Sequence, residues 1–327
     1  MKKIIALLMV ALMAVSLAAC VPTPGDLTDL VGNAIENKVE DKTENKVENK
    51  FDIDVDTDDD DIDVDVDIDD DNTKETVTID MGTVTQQVLY NKGGIKITVD
   101  EIFYKEYYGP TFSMLVENES AKNVTVSVEK LSVNNIVMSS YFYADVNSGK
   151  KMYEDMYFYQ TELEEYGITE LGTVEFCFNI YDQESYDTID KSDIVKIVLN
   201  DKITGLPTPK GEKIYDKNGI TIYKEDCPLT DDDYYDYVTR FLLINASKED
   251  VAVSATDISV NGFMVNSYCY LTAPAGKAAY ENFYFTKDTL KENKITEIEE
   301  VEFKFNIYNA NTYNTIELTD PYTIKVK

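Results

Sequence analysis

Apolar and polar residues alternate with a period of two over most of the chain after residue 85. Apolar residues recur at every second position in three well-separated runs: Ile95, Ile97, Val99; Val124, Val126, Val128; and Val174, Phe176, Phe178, Ile180. A period of two is typical of β-strands with one buried face. The pattern therefore predicts a β-rich structure for this part of the chain.

This part of the chain contains two copies of one pattern. YNKGGIKIT at 90–98 matches YDKNGITIY at 215–223, and VEFCFNIY at 174–181 matches VEFKFNIY at 301–308. The first match is offset by 125 residues and the second by 127, so the second copy has two extra residues between the positions that match about 99 and 117, which we place in the loop there. We predict an all-β fold with two tandem antiparallel β-sandwiches, residues 86–205 and 206–327, each with its own core.

Turn signals lie at matching places in both copies. Asn134-Asn135 and Asn261-Gly262 separate apolar runs, as in tight hairpin turns with positive φ. The alternation stops near 160–168 and 286–295, where we predict one helical turn that crosses between sheets. Asn118-Glu119-Ser120 and Asn245-Ala246-Ser247 match the glycosylation sequon, and we interpret both as turns.

The two copies resemble immunoglobulin-like domains of unknown function that occur in lipoproteins of Gram-positive anaerobes. The resemblance rests on the Asn-x-Ser turns, the Ser-Val-Asn hairpins, the Gly-Lys loops at 149–150 and 276–277, and the VEFxFxIY strands. It implies an immunoglobulin-like sandwich displayed at a cell surface. Such families have no assigned active site, so the resemblance implies no catalytic residue.

The N-terminal segment, 1–20, has the order of an export signal. Lys2 and Lys3 precede an unbroken apolar run at 4–15, which is shorter than the roughly 20 residues needed to span a bilayer. The following stretch, LAAC at 17–20, resembles the lipobox of bacterial lipoproteins. In that family the cysteine thiol receives a diacylglyceryl group and becomes the mature N-terminus. The resemblance implies lipidation of Cys20 and a location on the extracellular face of the cytoplasmic membrane.

An acidic segment separates Cys20 from the repeats. Residues 21–85 contain 22 acidic residues and five lysines, with little apolar content, which predicts a disordered linker. The net charge of the whole chain is −32, which argues against nucleic acid as a partner because its phosphates would be repelled.

The aspartate run at 52–71 contains 13 aspartates that alternate in part with isoleucine and valine. Carboxylate oxygens are the ligands that Ca²⁺ takes, so weak calcium binding between Asp52 and Asp71 is one interpretation. The run lacks the glycine and the bidentate glutamate spacing of an EF-hand. A self-repelling spacer is therefore the default interpretation, in which charge opposes strand pairing.

Residue counts exclude several kinds of site. The chain has no histidine, so Ser-His-Asp and Cys-His catalysis and histidine-based metal sites are excluded. Three cysteines follow Cys20, namely Cys177, Cys227 and Cys269, and this odd number cannot form a complete disulfide framework. Cys227 and Cys269 lie in the same copy, but the first copy has no equivalent pair. We therefore expect thiols.

Tyrosines and aspartates concentrate in the first loop of each copy. This loop contains Tyr107 and Tyr108 in the first copy and Asp231, Asp232, Asp233, Tyr234 and Tyr235 in the second. Loops at the end of a sandwich carry binding residues, and tyrosine beside carboxylates suits contacts with sugars or cations. The competing interpretation is that tyrosine is a good strand residue and that acidic loops favour solubility.

These observations predict a non-enzymatic surface protein. Neighbouring carboxylates such as Glu162, Glu164 and Glu165 are expected from the acidic composition, and glycosidase chemistry needs two carboxylates at a fixed separation in a cleft. The first hypothesis is a binding or adhesion module for a cell-wall glycan or a surface protein. The alternatives are a structural spacer without a specific ligand and a calcium-responsive protein that uses the aspartate run.

Overall fold

The computed structural model describes residues 78–106, 108–227 and 233–326, with two further segments at 54–55 and 64–65. The chain divides into two compact units, Met1–Lys74 and Glu75–Lys327. In the first unit, strands β1 (Asp54–Val55) and β2 (Val64–Asp65) pair antiparallel within the aspartate run. The predicted signal peptide, Cys20 and the other linker residues up to 77 lie outside the described residues.

The first repeat is a sandwich of two β-sheets. Its strands, in chain order, are β3 (Gln87–Lys92), β4 (Ile95–Lys105), β5 (Gly109–Asn118), β6 (Val124–Val133), β7 (Ile136–Val137), β8 (Ser140–Tyr141), β9 (Tyr143–Val146), β10 (Lys150–Phe158), β11 (Thr173–Asp182), β12 (Thr188–Lys191) and β13 (Val195–Val198). One sheet has the order β3-β4-β5-β10-β8. In the other, β11 pairs with β6, β12 and β13, and β6 pairs with β7 and β9.

This pairing is the strand order of the immunoglobulin fold. Strands β4, β5, β10 and β8 take the places of A, B, E and D, and β6, β11 and the β12–β13 pair take those of C, F and G. Strand β3 is an addition before A. The predicted immunoglobulin-like sandwich is therefore confirmed.

The second repeat has the same order, except that its described residues, 206–227 and 233–326, contain no strand D. Its strands are β14 (Glu212–Lys217), β15 (Ile220–Glu225), β16 (Tyr235–Asn245), β17 (Val251–Val260), β18 (Phe263–Met264), β19 (Tyr270–Ala273), β20 (Ala278–Thr286), β21 (Glu300–Asn309), β22 (Thr315–Leu318) and β23 (Tyr322–Lys325). One sheet has the order β14-β15-β16-β20. In the other, β17 pairs with β18, β19 and β21, and β21 pairs with β22 and β23.

The alternating apolar residues form the cores between the sheets. In the second repeat, Phe241, Phe283, Phe303 and Phe305 are fully buried, with neighbouring ring centroids 5.1 to 5.6 Å apart. Burial of one such side chain stabilises the fold by about 1.5–3 kcal/mol. The period-two pattern thus places aromatic residues from both sheets in one core.

The predicted turns and crossovers are confirmed. Asn134, Asn135, Asn261 and Gly262 all have positive φ, between 50° and 81°, as the hairpin turns require. Helices α1 (Gln160–Glu165) and α2 (Lys287–Glu292) follow β10 and β20 and lead to the opposite sheet. Each helix buries one leucine, Leu163 or Leu290, which fixes the crossover against the core.

Asn118 and Asn245 organise the turn after strand B in the two repeats. Asn118 Nδ2 donates to the carbonyls of Lys122 and Val146, each at 2.8 Å, and Oδ1 accepts from the backbone and the hydroxyl of Ser120. Asn245 makes the same set of bonds in the second repeat. Both side chains are fully buried, and their amide nitrogens are committed to carbonyl oxygens. The interpretation of both sequons as turns is confirmed.

The sandwich begins earlier in the chain than the composition indicated. Residues 78–85, which we assigned to the linker, lie against the first repeat: Ile79 is buried in its core, and Met81 and Val84 pack on it. Asp80 forms backbone hydrogen bonds with Thr169 and Leu171, each at 2.8 Å. The linker boundary at 85 is therefore too late, because average charge over a window hides a short apolar segment that docks.

The three cysteines of the described chain are thiols, as expected. Cys177 and Cys269 are buried, and burial raises the pKa of the Cys269 thiol. Cys227 is half-buried, and its Sγ donates to Asn282 Oδ1 at 3.7 Å.

A continuous β-sheet joins the two repeats. Strand β7 of the first repeat pairs in parallel with β20 of the second, with Ala278 opposite Ile136. The Ala278 N–H donates to the Asn135 carbonyl at 2.8 Å. Leu242, Ala278 and Tyr280 belong to the same buried cluster as the first core. The repeats therefore share apolar packing as well as hydrogen bonds.

Charged and aromatic side chains close this junction. Arg240 pairs with Glu225 at 3.0 Å, with both side chains buried, and its guanidinium lies 4.5 Å from the ring centroid of Tyr280. Tyr280 in turn stacks on Tyr166, with centroids 4.8 Å apart. Asn282 Nδ2 donates to Glu165 Oε1 at 2.7 Å.

Candidate functional site

The first-loop residues singled out from the sequence separate into two groups. Tyr107, Asp231 and Asp232 lie outside the described residues. Tyr108, Asp233, Tyr234 and Tyr235 are described; Asp233 and Tyr234 are exposed, whereas Tyr108 and Tyr235 each pack against another tyrosine. Among the described residues, the candidate site therefore consists mainly of tyrosines in contact with other tyrosines.

A tyrosine cluster lies at the end of the first repeat's A–B hairpin. The ring of Tyr108 lies 4.4 Å from that of Tyr157 on β10, and Tyr141 on β8 stacks on Tyr157 at 5.2 Å. Tyr159 contacts Tyr157 edge-on at 5.8 Å. We call Tyr108, Tyr141, Tyr157 and Tyr159 the first tyrosine cluster; all but Tyr157 are exposed.

Polar groups surround the first tyrosine cluster. The Lys105 ammonium lies 5.2 Å from the Tyr108 ring centroid and pairs with Asp155 at 2.9 Å. Tyr104 donates from its hydroxyl to Gln160 Oε1 at 2.6 Å, at the start of α1. The cluster thus presents ring faces bordered by hydrogen-bonding groups.

The second repeat has a matching group at the corresponding place. Tyr235 lies 4.6 Å from Tyr284 on β20, and Tyr237 lies 5.4 Å from the same ring. We call Tyr235, Tyr237 and Tyr284 the second tyrosine cluster. The 127-residue offset relates Tyr108 to Tyr235 and Tyr157 to Tyr284, so the central pair is present in both repeats.

The two clusters differ at strand D, which contributes a tyrosine to the first cluster only. In the first repeat Tyr141 lies on β8, which pairs with β10, and so its ring reaches Tyr157. Its counterpart Tyr268 lies in a repeat without strand D and contacts Tyr270 at 6.1 Å. Tyr237 occupies the flank of the second cluster instead.

A half-buried carboxyl lies three positions before each central tyrosine, and therefore on the opposite face of the same strand. Glu154 precedes Tyr157 on β10, and Glu281 precedes Tyr284 on β20, at equivalent positions. Burial raises the pKa of both carboxyls, and that of Glu281 reaches about 7 because Glu165 also adds negative charge. Burial and the neighbouring tyrosines raise the pKa of the Tyr157 and Tyr284 hydroxyls, which are protonated donors at neutral pH.

Sequence reasoning missed the strand half of each cluster. It placed the candidate residues in the first loop, whereas the central rings Tyr157 and Tyr284 lie on strand E, which crosses beside that loop. The signal was present in the sequence, because tyrosine stands at both positions in the 127-residue register.

The three glutamates considered for glycosidase chemistry make separate contacts. Glu162 accepts from the Ser139 N–H at 2.8 Å, Glu164 from Gln160 Nε2 at 2.8 Å, and Glu165 from Asn282 Nδ2 at 2.7 Å. Within residues 78–326, wherever the structure describes them, no group of three or more Cys, Asp or Glu side chains is arranged to hold a metal ion. No helix in the described ranges is both long and apolar enough to cross a membrane.

Comparisons with known proteins add little to this picture. No protein-family model and no curated protein matches the chain. Solved structures similar to it include a protein of unknown function from Porphyromonas gingivalis W83, at 9% identity with a TM-score of 0.18, covering 71% of this chain and 98% of that one. Another is the chicken interferon gamma receptor alpha chain, at 9% identity with a TM-score of 0.16, covering 75% and 97%. At these TM-scores neither structure bears on the fold or the function of this chain.

Proposed function

We propose that this chain is a lipid-anchored protein of a bacterial cell surface whose two β-sandwiches bind a cell-envelope glycan through their tyrosine clusters. The anchor and the location rest on the sequence: the export pattern at 1–19 and the lipobox-like LAAC that ends at Cys20. The acidic linker then separates the lipid from the sandwiches.

The single observation that supports binding is the duplication of a tyrosine pair in which Tyr108 is exposed and the other three rings are half-buried. Tyr108–Tyr157 and Tyr235–Tyr284 have similar centroid distances, 4.4 and 4.6 Å, at equivalent positions of the two repeats. A core needs no such pair at its exposed margin. Tyrosine offers a large apolar face and a hydroxyl at low conformational cost, and so it is enriched at binding surfaces.

Duplication favours a polymeric ligand over a single protein epitope. A polysaccharide presents the same unit many times, and its sugars offer a face of C–H groups bordered by hydroxyls. Two matching clusters within one compact unit, Glu75–Lys327, can bind two units of one polymer. Such paired binding strengthens the overall affinity by about 10²–10⁴-fold over a single site.

Binding to isolated cell wall tests this proposal. The full chain carrying Cys20→Ser, which removes the thiol that would receive the lipid, is mixed with peptidoglycan sacculi and with purified wall polysaccharides, and the sedimented fraction is measured. We expect Tyr108→Ser or Tyr235→Ser alone to weaken binding by about 100-fold or more, because only one site then remains, and the double variant to abolish it.

A control variant replaces two exposed tyrosines at another pair of equivalent positions. Tyr186 and Tyr313 are equivalent, exposed, and have φ near 60°, so Tyr186→Asn with Tyr313→Asn keeps the backbone favourable. This control variant should bind like the parent. Equal loss in the control, or no binding to any wall polymer, would overturn the glycan proposal and leave the spacer interpretation.

A further inference from the structure

Strand β18 of the second repeat presents two apolar side chains to solvent. Phe263 is 54% exposed and Met264 is 67% exposed, directly after the Asn261-Gly262 turn. The 127-residue register makes them the counterparts of Ile136 and Val137, which form β7 in the first repeat. Ile136 is only 4% exposed, so the same position is covered in one repeat and open in the other.

The second repeat itself covers β7. Its strand β20 pairs in parallel with β7, and the Ala278 N–H donates to the carbonyl of Asn135 in the preceding turn at 2.8 Å. Val137 packs against the core of the second repeat. In the first repeat, therefore, the edge formed by β7 is covered by strand β20 of the second repeat.

An ion pair fixes the register of this junction. Lys277, at the start of β20, pairs with Glu175 of the first repeat and donates to Asn135 Oδ1 at 2.9 Å. The counterparts of Lys277 and Glu175 are Lys150 and Glu302, so the same charge combination is present on the two faces that the junction leaves open. Both Lys150 and Glu302 are exposed.

The outer face of the first repeat is the counterpart of the face that docks. Leu242 and Tyr280, which enter the first core, correspond to Leu115 and Tyr153. Tyr153 is exposed on β10, and Leu115 lies half-buried beside it on β5. Strand β8 covers β10 only at Tyr157 and Phe158, so the edge of β10 near Lys151 has no strand beside it in the described chain.

We propose that β18 is a docking edge for a second copy of this chain, which binds through the outer face of its first repeat in the geometry that joins the two repeats internally. Lys151 would take the place of Ala278, and Lys150 would pair with Glu302. The two contacting surfaces differ, so this contact is heterologous and extends head-to-tail instead of closing as a dimer. The proposal is independent of glycan binding.

The contact between copies is weaker than the internal junction. Ser113 stands where Arg240 does, and Asn293 where Tyr166 does, so the guanidinium contacts and the ring stack are missing. Glu117 pairs with Lys96 at 2.7 Å where Ile244 packs in the second repeat, which adds charge to the face. These differences keep the chain monomeric when dilute and allow assembly at high local concentration.

Sedimentation velocity over a concentration series tests the proposal. The full chain with Cys20→Ser is measured from micromolar to millimolar concentration, in low and in physiological salt. We expect the weight-average sedimentation coefficient to rise steadily beyond the dimer value, and Met264→Lys to shift the onset to at least tenfold higher concentration. Ile194→Lys is the matched control, since Ile194 is 66% exposed and lies between β12 and β13, in the sheet opposite to β5 and β10, and it should assemble like the parent.

Charge reversal separates docking from loss of folding. Lys150→Glu and Glu302→Lys should each weaken assembly, because each places like charges together at every contact. An equimolar mixture of the two single variants should assemble like the parent, because residues 150 and 302 of the two variants carry opposite charges at every mixed contact. The double variant should assemble like the parent. A chain that stays monomeric at millimolar concentration, a closed dimer, or a double variant without rescue would each overturn the proposal.

Discussion

Arg240 of the second repeat donates from Nη1 to the main-chain carbonyl of Glu165 in the first repeat, at 2.7 Å. The same guanidinium pairs with Glu225 and lies over Tyr280. The only arginine of the chain is thus buried at the junction, where one planar group serves a carbonyl, a carboxylate and a ring. Arg240 therefore has a structural role, unlike the arginines that bind phosphate or carboxylate ligands at binding sites.

The buried ion pair predicts a large effect of Arg240→Met. The change leaves Glu225 buried without its cation, which costs about 3–5 kcal/mol in the free energy of unfolding. Calorimetric unfolding of the full chain measures the loss. Adding Glu225→Gln should recover part of it, because the neutral amide no longer needs a cation and its oxygen still accepts from the Lys210 N–H.

An exposed ion pair provides the control for Arg240→Met. Lys213 pairs with Asp216 at 2.5 Å, with about half of each side chain exposed. Lys213→Met should therefore change the free energy of unfolding by about 0.5 kcal/mol or less. Similar losses for Arg240→Met and Lys213→Met would show that the buried pair does not secure the junction.

Glu281 predicts a decline in stability as pH rises. Burial, and then the negative charge of Glu165, raises its pKa in the folded chain from 4.5 to about 7. Between these two values the folded chain keeps a proton that the unfolded chain has lost, so the free energy of unfolding falls as pH increases from about 4.5 to 7. After allowance for partial exposure to solvent, the contribution is on the order of 1–2 kcal/mol.

Glu281→Gln removes this titration. We expect the variant to match the parent at pH 5 and to exceed it in stability at pH 8, as measured by urea unfolding at both values. Glu299→Gln, on the exposed surface, should leave the difference between pH 5 and pH 8 unchanged. A loss of stability at pH 8 in Glu281→Gln would contradict this prediction, because it would mean that the ionised carboxylate is stabilised in the folded chain. Its neighbours Cys269 and Tyr284 carry no positive charge that could do so.

The buried asparagines predict equal effects in the two repeats. Asn118→Ala and Asn245→Ala each remove two donated and two accepted hydrogen bonds and leave buried carbonyls without donors. Each variant should lose about 2–4 kcal/mol in the free energy of unfolding. Asn311→Ala, at an exposed turn, should lose far less. Unequal losses would contradict this prediction, because they would show that the same hydrogen bonds stabilise the two repeats by different amounts.

The proposed anchor predicts the distribution of the protein in cells. Cys20→Ser removes the acceptor thiol, so the protein should move from the membrane fraction to the medium or the soluble fraction. Immunoblots of separated fractions measure this change. Cys177→Ala is the control and should stay with the membrane, because Cys177 is a buried core residue. Membrane retention of Cys20→Ser would contradict lipidation.

Local patterns in the sequence predicted most of the fold. Alternation at Ile95, Ile97 and Val99 marks a strand because side chains on a strand point to opposite faces at every step. Asparagine and glycine at 261 and 262 mark the hairpin because few other residues accept positive φ. The constant register between the two copies then indicated two domains without any knowledge of their contacts.

Contacts between distant residues could not be predicted in this way. Glu165 and Arg240 are separated by 75 positions, and no local pattern relates a helix end in one repeat to a strand centre in the other. The tyrosine clusters were half predicted for the same reason: Tyr108 is in a loop that composition identifies, whereas Tyr157 reaches it only through sheet pairing. Ile79 was missed because the acidic run before it dominates the average charge of the segment, although Ile79 and Met81 follow the period-two pattern.

Because the two repeats share a sheet and apolar packing, the first repeat cannot complete its core until part of the second repeat has been synthesised. The last strand of the first repeat ends at Val198, whereas Tyr280, which completes the first core, lies far downstream in the second repeat. At about 5–20 residues per second, a ribosome needs roughly 4–16 s to proceed from position 198 to position 280. Throughout this interval the first repeat is fully synthesised but has an unfinished apolar side. A chaperone that holds the nascent chain has its natural target there, and truncation before residue 242 leaves a fragment prone to aggregation.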